Sequence, residues 1–74
     1  MYSDRDFLVP FLALSDPVLT SSEVGDFIGI TQSGADKRLK ELVEKGLLDS
    51  ARKGPARVYW ITRSGVDYLK RPDE

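Results

Sequence analysis

An α+β fold, with a three-helix core, a two- to three-stranded antiparallel β-wing and a short C-terminal helix, is predicted by three features of this 74-residue sequence. The first lies in residues 30–48, where Ala35, Leu39, Leu42 and Val43 recur at helical spacing and form one apolar stripe. Ser33, Lys37, Lys40 and Glu44 fall on the opposite face, and Gly46 stands where a helix would stop. The second is a helix placed just upstream, ending at Gly29 and leaving a turn of about three residues before the next helix begins. The third is the turn sequence Lys53, Gly54, Pro55, Ala56, flanked by an apolar start at Leu47 and Leu48 and a β-branched and aromatic run from Arg57 to Thr62.

The first helix is predicted to be capped by Ser3, with Asp4 and Asp6 in its first turn, where the helix dipole favours negative charge. Phe7, Leu8, Phe11, Leu12 and Leu14 supply its apolar face. Pro10 interrupts it, since a proline inside a helix removes a hydrogen bond and costs ~3 kcal/mol. The helix therefore kinks at Pro10 or begins near Val9. Ser15, Asp16 and Pro17 end that element, and Val18 and Leu19 suffice for one short strand pairing. Thr20 to Glu23 has the form of a capping box opening a second helix, which aligns Val24, Phe27 and Ile28 before stopping at Gly29. Thr31 caps the third helix, over residues 31–45. A hairpin with Arg52, Lys53 and Arg57 at its tip follows, and Thr62 caps a last helix that offers Val66, Tyr68 and Leu69 for packing. The chain reads as one domain over residues 1–74, with a core from 6 to 69 and a tail from 70 to 74.

Composition narrows the chemistry. The sequence is 41% hydrophobic and 31% charged, and it holds no apolar run near the ~20 residues a membrane span needs. Its first residues are acidic, unlike a signal peptide, so a cytoplasmic location is expected. With no cysteine and no histidine, disulfides, Cys/His zinc sites, thiol nucleophiles and imidazole acid–base catalysis are excluded. No phosphate-binding glycine loop is present, and neither an enzyme nor a cofactor or metal site is expected.

The net charge of −1 conceals a division along the chain. Residues 1–29 carry five carboxylates against Arg5, a net −4, whereas residues 30–63 carry eight cations against four carboxylates, a net +4. A local basic surface is what binding to a phosphate backbone requires, and the total charge says little about it.

This order of elements resembles the winged helix-turn-helix family from about Asp6 to Leu69. The segment Leu19 to Val24 is similar to the start of its second helix, and Ile30 to Leu48 to its recognition helix and exit. Val58 to Thr62 with Gly65 is similar to its second wing strand and the entry to the last helix. Bacterial and archaeal repressors of the multiple-antibiotic-resistance and arsenical-repressor kinds, and small phage-repressor-like winged helices of archaea, are the nearest in pattern. The resemblance implies sequence-specific binding to double-stranded DNA, as a homodimer, in transcriptional regulation and most often repression. Gln32, Ser33, Asp36 and Lys37 then match groove-facing positions, Thr31 and Lys40 phosphate-contacting ones, and Arg52, Lys53 and Arg57 the wing. It also places Tyr59 and Ile61 in the core.

The residue chemistry leaves two points open. Gln32 suits adenine and Lys37 guanine, but Asp36 would repel phosphates unless it accepts from a cytosine amino group or pairs with Lys40. Trp60, on the strand face opposite Tyr59, either covers the end of the first helix or forms a subunit contact with Phe7 and Phe11. Too few residues remain beyond these elements to build a small-molecule pocket. The competing reading is a winged helix used for protein–protein contact without DNA binding.

Overall fold

The structure, a computed structural model, describes residues 2–71. Its elements run α1 (Asp4–Leu8), α2 (Pro10–Ala13), β1 (Leu19–Thr20), α3 (Ser21–Ile28), α4 (Gln32–Glu44), β2 (Leu48–Lys53), β3 (Ala56–Ile61) and α5 (Arg63–Lys70). The three strands form an antiparallel sheet in the order β1-β3-β2. Of the proposed tail, Lys70 closes α5, and residues 72–74 lie outside the described residues.

The proline decides the start. Ser3 accepts from the Asp6 amide and Asp6 reaches back to the Ser3 amide, so the helix begins at Asp4 rather than near Val9. Val9 keeps helical angles (φ −54°, ψ −42°), and Pro10 takes the first position of α2, where its missing N–H costs nothing. One helix is thus interrupted at Val9 and Pro10. Phe7, Leu8, Pro10 and Phe11 are buried, but Leu12 and Leu14 are exposed, contrary to the apolar face predicted for them. The break ends the register on which that face was counted.

The capping box at Thr20 and Glu23 opens α3, and Gly29 closes it at φ 94°, a left-handed conformation that favours glycine. The Gly29 and Ile30 amides both donate to the Gly25 carbonyl, which reverses the chain into α4. Val24 is fully buried and Ile28 packs against the core, while Phe27, predicted to share that face, is 46% exposed. Ala35, Leu39 and Leu42 of α4 meet Phe7, Leu8, Leu19, Leu48 and Tyr59 in one cluster, with Val43 at its margin. Each fully buried leucine there contributes roughly 1.5–3 kcal/mol.

Phe7 and Phe11 are 1% and 5% exposed, which corrects their assignment to a subunit interface: both are spent on the internal core. Trp60 is half-buried, opposite Asp49 and on the sheet face away from Tyr59. It does not join the core cluster.

Long-range ion pairs bind the acidic beginning of the chain to α4. Arg38 donates to Asp4 Oδ1 and to the Tyr2 carbonyl, both at 3.0 Å, and its guanidinium lies 4.7 Å from the centre of the Phe7 ring. Lys45 donates to the second Asp4 oxygen. The Lys45 bond lowers the Asp4 pKa, partial burial opposes it, and Arg38 adds to the lowering; the net is a carboxyl held below its ordinary value. A depressed folded-state pKa gives stability that is present above the unfolded value near 3.9 and is lost as pH falls through the folded value. The thermal midpoint is therefore expected to drop on acidification below about pH 4, and Asp4→Asn to lower it at neutral pH while weakening the acid dependence. An Asp4→Asn protein that melts like the parent at both pH values would remove this tie from the account.

Candidate nucleic-acid interface

The site is built from the first turn of α4, the N-terminus of α3 and the β2–β3 hairpin. Thr31 caps α4 by accepting from the Gly34 amide at 3.1 Å, and the Ala35 amide takes the Thr31 carbonyl. Gln32 and Ser33 follow on the exposed first turn, and their amides belong to the orphan donors of a helix start. Lys37 is exposed one turn on, with no hydrogen-bond or ion-pair partner among the described residues. Thr31 is thus occupied as a cap, whereas Gln32, Ser33 and Lys37 stand open to solvent.

Asp36 is engaged within the fold. Lys40 lies 3.0 Å from Asp36 Oδ2, and the Tyr59 hydroxyl donates to Asp36 Oδ1 at 2.8 Å. Burial pushes the Asp36 pKa up, but the bonds from Lys40 and Tyr59, with Arg57 nearby, outweigh it and hold the carboxyl below its ordinary value. Burial and the Asp36 bond push the Tyr59 phenol up to about 12. Of the two alternatives left open by sequence, pairing with Lys40 holds. Asp36 joins α4 to β3, and Lys40 is held back along the helix.

The wing turns in two residues, Gly54 and Pro55, with Lys53 opposite Ala56. Gly54 takes φ 61°, and since proline cannot follow with a positive φ the turn is of the II′ kind, whose twist matches the strands. Register separates the three wing cations. Arg52 faces Arg57 directly across the hairpin, on the same side as Ser50 and Tyr59, whereas Lys53 projects from the other side with Val58 and Trp60. Arg57 donates to Ser50 Oγ at 3.2 Å, its only hydrogen bond among the described residues. Like charges directly opposite each other destabilise a strand pair.

Tertiary pairing also alters the basic half counted from sequence. Arg38, Lys40 and Lys45 are matched to Asp4, Asp36 and Glu41, which leaves Lys37, Arg52, Lys53, Arg57 and Arg63 without a carboxylate partner among the described residues. Four of these five belong to the proposed reading helix and wing. Thr20, Ser21, Pro55 and Ala56 line the cleft between α4 and the wing together with Gln32, Ser33, Asp36 and Arg57, and were not singled out from sequence. The capping box at Thr20 placed Ser21 at a helix start, but no local pattern says what that start faces.

A helix-turn-helix whose second helix continues into a β-hairpin, with a third strand closing the sheet, defines a winged helix-turn-helix domain. Similar folds occur in solved transcriptional regulators and DNA-binding proteins. The regulator PcaV from Streptomyces coelicolor, solved with its natural ligand, superposes with a TM-score of 0.83 at 25% identity over 96% of this chain and 52% of its own. The DNA-binding protein Sso10a-2 from Sulfolobus solfataricus gives 0.72 at 24% identity, covering 92% of this chain and 72% of its own. A Lactococcus lactis ZitR variant in complex with DNA gives 0.72 at 22% identity, covering 95% and 49%. Several others are regulators described as of the MarR family. The chain spans about half the length of the first of these structures. No protein-family model matches the sequence, and no curated protein matches it.

Proposed function

We propose that this chain binds double-stranded DNA sequence-specifically as part of a homodimeric transcriptional repressor, reading the major groove with the first turn of α4 and gripping the backbone with the wing. The observation that carries the reading is the Arg52–Arg57 register pair, two cations opposite each other with no carboxylate ion pair among the described residues, beside the open first turn of α4. That arrangement costs stability as a free surface and is relieved by a phosphate between or beside the two groups. The likeness to regulators and to a protein solved with DNA supports it.

Binding to a random duplex pool across a salt series, with sequencing of the retained fraction, tests the proposal. With about six phosphates neutralised, log affinity should fall against log salt with a slope near −5, and a palindromic motif should be enriched. Absence of retention at low salt would overturn it; retention without enrichment would leave backbone binding alone. Lys37 is the side chain best placed for a base edge. Lys37→Ala is expected to change preference at one or two base pairs by ~1–3 kcal/mol, and an equal loss on every sequence would make Lys37 a phosphate contact instead.

A further inference from the structure

At the end of α3 remote from the cleft, apolar side chains stand outside the core. Tyr2, Asp6, Val9, Phe27 and Ile28 line one open hollow of about 210 Å3, and Arg5, Val9, Leu12, Ala13 and Leu69 line a second of about 330 Å3. Val9, at the break between α1 and α2, is the wall they share. Tyr2 is 42%, Val9 40%, Leu12 55% and Phe27 46% exposed. Scattered apolar residues are ordinary on a protein surface, but several gathered around adjoining hollows form a patch of the sort that marks an interaction site. The walls are held in place. The Tyr2 hydroxyl donates to the Ile28 carbonyl at 3.5 Å, its ring stands edge-on to Phe7, and Arg38 donates to its backbone carbonyl.

The charge at the Phe27 end is negative. Asp6 binds only the amide and hydroxyl of Ser3, and Asp26, exposed next to Phe27 in the chain, has no ion pair among the described residues. At the other end the Arg5 guanidinium donates to the carbonyls of Leu69 and Arg71. The groove is walled by helices and has no strand edge, so an extended peptide would find no ladder to join, whereas a helix satisfies its own backbone. A second copy related by a two-fold axis at Phe27 would set Asp6 and Asp26 against their own counterparts, and like charges brought together oppose association.

We propose that this groove docks an amphipathic helix of a separate protein, with apolar side chains seated on both sides of Val9 and Lys or Arg residues against Asp6 and Asp26. Thr20 and Ser21 border the cleft beside the wing, and the length of α3, roughly 10 Å, separates them from Ile28, so docking leaves that cleft open. Only this simultaneity rests on the proposed DNA binding; the docking itself does not.

A helical peptide of about 18 residues, with leucines at i, i+4 and i+7 flanked by lysines, tests the groove beside a twin that carries glutamate for each lysine. Titrated into the full chain, the lysine peptide should shift the amide resonances of Val9, Leu12 and Phe27, and its twin should bind about tenfold more weakly or worse. Phe27→Ala, at an exposed position outside the core cluster, should cut the affinity of the lysine peptide about tenfold or more. Asp26→Lys should reverse the preference between the two peptides. Saturating duplex DNA should leave peptide affinity unchanged, and Phe27→Ala should bind duplex as the parent does. Absence of shifts at these amides, or equal binding of both peptides, would overturn the docking. Competition by duplex would place the groove within the DNA interface and overturn it as well. In sedimentation equilibrium, a parent dimer that Phe27→Ala abolishes would assign the groove to a second copy instead, whereas a dimer that survives the change supports a separate partner. Peptide binding by a chain that retains no duplex would defeat the DNA-binding proposal alone and leave the groove standing.

Discussion

Replacing Arg52, Lys53 and Arg57 together with alanine is expected to weaken duplex binding roughly a hundredfold to a thousandfold near 0.1 M salt, equally on all sequences, and to flatten the salt slope by nearly three. The size follows from the release of about 0.9 counterion per neutralised phosphate. The loss should come without a loss of stability, which separates this reading from a structural one. Arg52 and Arg57 stand opposite each other, and among the described residues the contacts given up are the Arg57 bond to Ser50 and its attraction to Asp36. Removing their repulsion offsets these contacts, so the thermal midpoint should stay within a few degrees of the parent. Electrophoretic or fluorescence titration at several salt concentrations, beside a thermal melt, reads both quantities. Unchanged binding would remove the wing from the interface; a collapse of the midpoint would make these side chains structural.

The largest effect on stability is expected at Gly65. A Cβ added there would lie 2.2 Å from the Leu47 carbonyl oxygen and 2.6 Å from Ile61 Cγ1. Neither neighbour yields cheaply. The Leu47 carbonyl accepts from the Thr62 amide at 3.2 Å, and Thr62 in turn donates its hydroxyl to the Gly46 carbonyl at 2.7 Å and caps α5 through the Gly65 amide. These bonds tie the exit of α4 to the base of the hairpin and the start of α5. Helix propensity alone would make Gly65→Ala favourable by about 1 kcal/mol, but overpacking typically costs 1–3 kcal/mol and a clash with backbone belongs at the upper end or above. The clash wins. A net loss of about 2 kcal/mol or more should lower the thermal midpoint by roughly 8–16 °C in a domain of this size. A midpoint at or above that of the parent would mean that α5 shifts off the hairpin at little cost.

Much of this architecture is written locally. The capping residues Ser3, Thr20, Thr31 and Thr62, the stops at Gly29 and Gly46 and the turn at Gly54 and Pro55 each act within a few residues, so element order was legible from the chain. The α4 stripe of Ala35, Leu39 and Leu42 was legible for the same reason, because helical periodicity alone selects the buried face. Where local rules conflict, prediction weakened. Pro10 interrupts α1 and α2, and the apolar face counted through it wrongly included Leu12 and Leu14.

By itself, then, the sequence determined the class of fold, the absence of cysteine and histidine chemistry, and a set of polar and cationic residues on α4 and the wing. Only the tertiary structure decided which of those charges remain unmatched and which side chains share a face. Asp4 meets Arg38 and Lys45 across 34 and 41 residues, and Tyr59 meets Asp36 across 23, separations at which no periodicity carries information. The same holds for Ser21, whose position at a helix start is local but whose place in a cleft beside Arg57 depends on how the hairpin packs over α4. Charge and hydrogen-bond satisfaction depend on distance in space, which the chain acquires only when its elements pack.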